Sequence, residues 1–309
     1  MKNVKLGART VADIDAQVSK LLKGLDNPEP PLDLLSIREL LKLDRKFYSS
    51  SDDGLLRETM SRLKVAGRQI LLRPTILRDA IASFSLKALY LPDQKRILLD
   101  RDIPQIKHRW NEAHEIGHGI IPWHADMMIG DTQQTLTPAC HEIIEAEANY
   151  AAGQMLFLAE RFKAEARSSA PSLELVRKLS HNFRNTVTST LWRFVEQAHG
   201  GLPMVAMVTG HPHPTRRGTD FQAASPCRYC VESPTFREQF GHILETQLFE
   251  KVVAYSGAQR GGQLGEADVI LTDRNGARHV FAFETFFNRY EALTLGRWLH
   301  PHALLISGG

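Results

Sequence analysis

The pentapeptide His114-Glu115-Ile116-Gly117-His118 constrains this chain more than any other feature of its sequence. On a helix, His114 and His118 lie one turn apart on the same face, because positions i and i+4 are neighbours there. Two imidazoles in that arrangement can bind one zinc ion. The apolar residues around the motif predict a packed helix, which disfavours the alternative of two solvated histidines on a surface helix.

The motif also predicts a reaction. Zinc activates a water molecule by lowering its pKa toward ~7, and the carboxylate of Glu115 can take up the proton that the water loses. The same carboxylate can then pass the proton to a leaving amine. We therefore expect hydrolysis of a peptide or amide bond, with Zn2+ as the cofactor, His114 and His118 as its ligands, and Glu115 as the general base and acid.

A catalytic zinc ion usually takes a third protein ligand, and the sequence offers two kinds of candidate. His124 follows His118 by six residues, but Ile121 stands where a glycine would be needed to turn the chain. The alternative is an acid on the next predicted helix, which we favour. The residues themselves leave three acids open there: Glu142, Glu145 and Glu147.

The chain resembles the ImmA/IrrE family of metallopeptidases, in which a HEIGH-like helix is followed by a helix that reads E-A-N-x-F-A. His114–His118 matches the first motif in full, and Glu147-Ala148-Asn149-Tyr150 matches the beginning of the second. The resemblance covers roughly residues 10–200. It implies Glu147 as the third metal ligand, ahead of Glu145 and Glu142.

The family resemblance further implies a protein substrate. That substrate would be a separate helix-turn-helix transcriptional repressor, cleaved at one site in response to stress or DNA damage, or in control of a mobile element. We expect no direct binding to nucleic acid, because a net charge of +3 comes without a dense stripe of Lys and Arg.

Two other functions stay open. One is a non-enzymatic regulator or toxin–antitoxin component that uses the zinc fold to bind a partner, and the intact Glu115 disfavours it. The other is a zinc hydrolase of a small amide. A predicted sheet edge at Arg96–Leu99, against which an extended peptide could pair, disfavours this second alternative.

The length of 309 residues and the change of pattern at Gly200-Gly201-Leu202-Pro203 predict two domains. Residues 1–200 should form a mostly helical zincin-like peptidase domain with a small sheet. Residues 201–309 should form a smaller α+β domain with a sensor or regulatory role. The fold class is therefore expected to be α+β.

The periodicity of apolar residues predicts the individual elements. The predicted helices cover 11–24, 32–43, 74–82, 146–162, 173–179 and 187–198. Strands are predicted at 88–91 and 96–99, joined as a hairpin, and at 204–208, 251–255, 267–271 and 279–283. The Asn-Gly step within Asp273–Gly276 predicts a hairpin turn.

A second metal site is a weaker hypothesis. Cys227 and Cys230 form a C-x2-C pair, and His211 and His213 precede them. Because no second pair of cysteines exists, we favour the alternative of a loop and two free thiols.

The sequence also bears on location. Three cysteines, no apolar run of ~20 residues and no signal-peptide pattern predict a cytoplasmic protein without a membrane segment.

Overall fold

The computed structural model describes residues 6–48, 88–91, 95–102, 105–124, 138–219 and 221–302. The chain divides into two compact units, Met1–Ala159 and Glu160–Gly309. Each unit contains helices and a sheet, so the expected α+β class is confirmed. None of the helices within the described ranges has the length and apolar character needed to cross a membrane.

The described residues of the first unit form a small sheet and several helices, with residues 122–124 also helical. In chain order these elements are α1 (Ala8–Gly24), α2 (Leu34–Leu41), β1 (Asp44–Tyr48), β2 (Ala88–Leu91), β3 (Arg96–Asp100), α3 (Gln105–Ile120) and α4 (Pro138–Leu156). The predicted hairpin is confirmed, with Leu91 opposite Arg96 in an antiparallel pair. The helix predicted over 74–82 lies outside the described residues.

The strand order in this sheet is β1-β3-β2, with β1 parallel to β3. Among the described strands β3 is therefore central, and the expectation that Arg96–Leu99 forms a sheet edge is wrong. Strand β1, which the sequence analysis missed, covers that side. Strand β2, which is the outer strand on the other side among the described residues, packs against α3.

Helices α3 and α4 pack closely because glycine stands at their contact. A β-carbon at Gly117 would lie 2.8 Å from the carbonyl oxygen of Ala148 and 3.4 Å from the β-carbon of Ala151. Ala113 and Ile116 on α3 are fully buried. The contact thus brings the pentapeptide helix against the segment that carries the candidate acids.

Buried charges tie α3 to α2 and β1. Glu112 is almost fully buried on α3. Its Oε1 lies 2.6 Å from Nε of Arg38, and its Oε2 accepts a hydrogen bond of 2.8 Å from Nη1 of Arg45. A buried carboxylate is tolerated when its charge is compensated in this way. The two ion pairs hold α3 in place two residues before His114.

The second unit is built on a five-stranded antiparallel sheet with the order β5-β4-β8-β7-β6. Its elements are α5 (Glu160–Arg167), α6 (Leu173–Asn182), α7 (Val187–Arg193), a π-helical turn (Phe194–Ala198), β4 (Met204–Thr209), a 3-10 turn (Pro214–Arg216), β5 (Cys227–Glu232), α8 (Pro234–Phe240), α9 (Glu245–Tyr255), β6 (Gly262–Thr272), β7 (Arg278–Phe287) and β8 (Ala292–Pro301). The predicted turn between β6 and β7 is present, with Gly276 at a φ of +84°.

Two predicted elements differ from the structure. The strand predicted at 251–255 is the end of helix α9, because Leu248 and Val252 bury one helical face and outweigh the strand preference of Val252-Val253. The helix predicted over 146–162 ends at Leu156, because Leu158 and Ala159 adopt left-handed φ values of +54° and +46°. Strands β5 and β8 were not predicted.

Helices α6 and α7 belong to the second compact unit. The backbone N–H of Leu173 donates a 2.7 Å hydrogen bond to Oε1 of Glu284 on β7, and the guanidinium of Arg177 lies 4.5 Å from the ring centre of Phe286. The boundary between the two compact units therefore lies before these helices, after Ala159. The division into domains 1–200 and 201–309 stays a prediction.

Candidate metal centre

Three side chains converge where α3 and α4 meet. The Nε2 atoms of His114 and His118 lie 3.2 Å apart. Oε2 of Glu145 lies 3.1 Å from Nε2 of His114, and its Oε1 lies 3.5 Å from Nε2 of His118. Across the described ranges, no other group of three or more His, Cys, Asp or Glu side chains gathers its ligand atoms this closely.

The donor set and its spacing fit a divalent metal ion. Two imidazole nitrogens and one carboxylate are a ligand set of catalytic zinc sites, and tetrahedral bonds of ~2.0–2.1 Å place neighbouring donors ~3.3 Å apart. The separation of 3.2 Å between the two imidazole nitrogens is close to that value, and the two oxygens of Glu145 lie 3.1 and 3.5 Å from them, one oxygen to each nitrogen. The side chain of His118 is 4% exposed and that of Glu145 39%. The group therefore opens to solvent on the side of Glu145.

Glu147 lies elsewhere. Its Oε2 accepts a 2.7 Å hydrogen bond from Nε1 of Trp123 and lies 2.8 Å from Nε2 of His124. Residues two apart on a helix are separated by about 200°, so the carboxylates of Glu145 and Glu147 point to different sides of α4. The structure brings Glu145, and not Glu147, to the two histidines. Glu142 is exposed one turn before Glu145.

Asn149 orients His114. Its Oδ1 lies 3.1 Å from Nδ1 of His114. Since an amide oxygen only accepts, we assign the proton of His114 to Nδ1, which leaves the Nε2 lone pair for a metal. Asn149 follows Glu145 by four residues and so shares its face of α4. The i, i+4 spacing of these two residues is the signal that sequence reasoning could have used.

The charges of the site attract a cation. Burial by itself would raise the pKa of Glu145, but hydrogen bonds from His114 and His118 and their charge lower that pKa well below its usual range. Burial would likewise lower the pKa of His114, yet the hydrogen bond to Glu145 and the charges of Glu115 and Glu145 raise it. An ionised carboxylate therefore faces two imidazoles that can share a proton or a metal ion.

His124 is close to the three gathered side chains but does not belong to that group. Its ring is fully buried, and its Nδ1 lies 3.0 Å from Nδ1 of His118, the nitrogen that faces away from Glu145. Burial and the neighbouring charge of His118 lower the pKa of His124 to about 4 despite the contact with Glu147. His124 is therefore a neutral neighbour of His118 in this arrangement.

Glu115 is buried on α3 directly after His114. Its negative charge contributes to the raised pKa of His114. His114, Glu115 and His118 all lie on the helix that the sequence predicted, whereas their roles in metal binding and catalysis stay predictions.

The residues proposed for a second metal do not gather within the described part of the chain. His211 lies 2.8 Å from the carbonyl oxygen of Gln259 through Nε2, and His213 Nδ1 lies 2.9 Å from the hydroxyl of Thr215. Cys227 and Cys230 are free thiols on strand β5, packed against a hydrophobic core. Burial raises the pKa of Cys230 to about 12, which disfavours a thiolate ligand.

A known protein family matches the segment that contains these side chains. The Peptidase_M78 family, described as "IrrE N-terminal-like domain", matches residues 74–194. No curated protein matches the chain. Among solved structures, a Mycobacterium tuberculosis transcriptional regulator is similar over 96% of this chain and 92% of that chain, with 11% sequence identity and a TM-score of 0.46. The segment matched by the family contains His114, His118 and Glu145.

Proposed function

We propose that this chain, whose resemblance to the ImmA/IrrE metallopeptidases is confirmed over residues 74–194, is a zinc-dependent endopeptidase. The observation that carries the proposal is the convergence of His114, His118 and Glu145 with separations that suit one metal ion. In this proposal Glu145 takes the place that the sequence analysis gave to Glu147.

Each residue has a role that follows from its position. His114 and His118 bind the metal through Nε2, and Glu145 supplies the third ligand and a negative charge. A bound zinc ion would supply Lewis-acid chemistry that polarises a substrate carbonyl and activates water. Glu115, buried beside His114, takes the proton from the attacking water and delivers it to the leaving amine.

The sheet of the first unit offers a place for an extended substrate. Strand β2 packs against α3 and has β3 on one side only among the described strands. An extended peptide can add to such an edge through backbone hydrogen bonds. This edge favours a protein or peptide substrate over a small amide.

Our proposed substrate is a separate helix-turn-helix repressor, cleaved in response to stress, as the family resemblance implies. A repressor substrate would place the protein in the cytoplasm. The role of the second unit in this scheme would be to sense or transmit the activating signal.

The first test is the metal content of purified variants, measured by elemental analysis. Wild-type protein should carry one zinc per chain, Glu145→Ala should lose it, and Glu142→Ala should keep it as a control on the same helix. Retention of zinc by Glu145→Ala would overturn the assignment of the third ligand. A wild-type protein that takes up no metal would overturn the peptidase proposal.

The second test is catalysis on a complex substrate. Wild-type zinc-loaded protein is incubated with a proteome-derived peptide library and with candidate repressors, and new termini are identified by mass spectrometry. Glu115→Gln should keep zinc but lower cleavage at least about 100-fold, since it removes the proton carrier. Equal cleavage by both proteins would show that a contaminant is responsible. No cleavage by zinc-loaded wild type would favour a binding protein.

A further inference from the structure

A row of buried side chains extends from Nδ1 of His118, away from the candidate metal centre. Nδ1 of His118 lies 3.0 Å from Nδ1 of His124, and Nε2 of His124 lies 2.8 Å from Oε2 of Glu147. All three side chains are buried, with His124 at 0% exposure. Nε1 of Trp123 donates a further hydrogen bond of 2.7 Å to the same oxygen of Glu147.

The proton positions in this row of side chains can be assigned by starting from Glu147. A carboxylate only accepts hydrogen bonds, so Glu147 selects the form of His124 that carries its proton on Nε2. Neutral His124 then presents a lone pair on Nδ1. That lone pair accepts from His118, which must carry its own proton on Nδ1. Nε2 is then the nitrogen of His118 that can bind a metal, and it is directed toward His114 and Glu145.

The opposite assignment is disfavoured by the same contacts. If His124 carried its proton on Nδ1, its bare Nε2 would face a carboxylate oxygen at 2.8 Å in a buried environment. Two acceptors held together without a proton or water would repel each other. The location of Glu147 thus determines the proton position two side chains away.

We propose that Glu147 and His124 are positioning residues that hold His118 in its Nδ1–H tautomer and aim its Nε2 at the metal. This inference rests on the proposed function and gives Glu147 a role that differs from that of a ligand. Trp123 keeps the carboxylate of Glu147 in place but stands outside the path to His118. Partners of this kind raise metal affinity because they pre-orient the ligand.

The chain offers matched variants for a test. His124→Leu removes both ring nitrogens, whereas His124→Gln retains one acceptor and one donor at a similar spacing. Trp123→Phe removes a hydrogen bond to Glu147 but leaves the path to His118 intact. Zinc affinity is measured by competition with a chelator at constant pH, and thermal melting of the metal-free proteins reports folding separately.

We expect His124→Leu to bind zinc about 10–100-fold more weakly, and His124→Gln and Trp123→Phe to stay close to wild type. Nitrogen NMR shifts of the metal-free wild type should show the proton of His118 on Nδ1. Suppose that His124→Leu binds zinc as tightly as wild type while Glu145→Ala loses zinc. This result would overturn the positioning role of His124 and Glu147 and leave the proposed function intact.

Two further outcomes concern a wrong assignment of the third ligand and a variant that does not fold. If Glu147→Ala loses zinc and Glu145→Ala keeps it, Glu147 is a ligand. The proposed site and the positioning role of Glu147 then both fail. If His124→Leu does not fold, the NMR measurement on wild type still decides, since a His118 without a proton on Nδ1 would overturn the proposed positioning role.

Discussion

The carbonyl oxygen of Ala148 lies 2.8 Å from the position that a β-carbon would take at Gly117. This separation is shorter than real β-carbon contacts, and the atom that would have to move belongs to the backbone of α4. The glycine in the middle of the motif therefore sets the distance between the two helices that carry the candidate metal ligands.

Replacing this glycine tests the helix contact. Alanine is favoured over glycine in a helix by roughly 1 kcal/mol, but overpacking costs about 1–3 kcal/mol, and a rigid backbone cannot yield cheaply. We expect Gly117→Ala to lower the unfolding free energy of the metal-free protein and to weaken zinc binding. The measurements are urea denaturation and chelator competition.

Gly201 provides the control for that variant, because nothing lies within 4 Å of a β-carbon built there. Gly201→Ala should change neither property. A stabilised Gly117→Ala with normal zinc affinity would contradict the close contact of α3 and α4.

Asn149 should contribute to metal affinity through His114. Its Oδ1 accepts the Nδ1 proton of His114 at 3.1 Å. Asn149→Leu should weaken zinc binding about 10–100-fold, whereas Asn149→Asp, which retains an accepting oxygen, should bind nearly as well as wild type. Chelator competition checks both variants. Equal affinity of the leucine variant and wild type would show that His114 needs no such partner.

The pH dependence of stability should reveal Glu284. Burial raises the pKa of this carboxyl above its usual 4.5, against the lowering effects of the Leu173 N–H and of Arg297. Between the unfolded and folded pKa values the folded state binds more protons, so its stability falls as pH rises through that window. Glu284→Gln keeps an acceptor for Leu173 but cannot ionise.

The stability gained by Glu284→Gln over wild type should therefore be larger at about pH 7 than at about pH 4. Urea denaturation at both pH values measures it. Exposed Glu250 on α9 supplies the comparison variant Glu250→Gln, which should show no such gain. A gain that is the same at both pH values would contradict a burial effect on ionisation.

The thiols of strand β5 should react slowly in the native protein. Burial raises the pKa of Cys227 above its usual range and that of Cys230 to about 12. Because the thiolate is the reactive form, alkylation at about pH 8 should be much slower in native than in urea-unfolded protein. Peptide mapping by mass spectrometry follows each cysteine.

The same thiols bear on the number of metal ions. A variant with Cys227→Ser and Cys230→Ser should retain the zinc content of wild type. Loss of one of two zinc ions in that variant would revive the second metal site.

Much of the first unit could be predicted from short-range patterns. The hairpin of β2 and β3 follows from two strand-forming runs around a turn, and helix α3 follows from its apolar periodicity. The error at 251–255 has a clear origin. Val252 and Val253 favour a strand locally. Packing against the five-stranded sheet instead buries Leu248 and Val252 on one face of a helix, and this packing outweighs the local preference.

By itself, the sequence determined that His114, Glu115 and His118 are neighbours, because the geometry of a helix converts their spacing into position. For a third ligand it favoured the acids between Glu142 and Glu147 over His124. Only the tertiary structure shows which of these acids lies beside the two histidines. The rotation of α4 about its axis depends on its contact with α3 at Gly117, and that contact turns Glu145 toward the histidines and Glu147 toward His124.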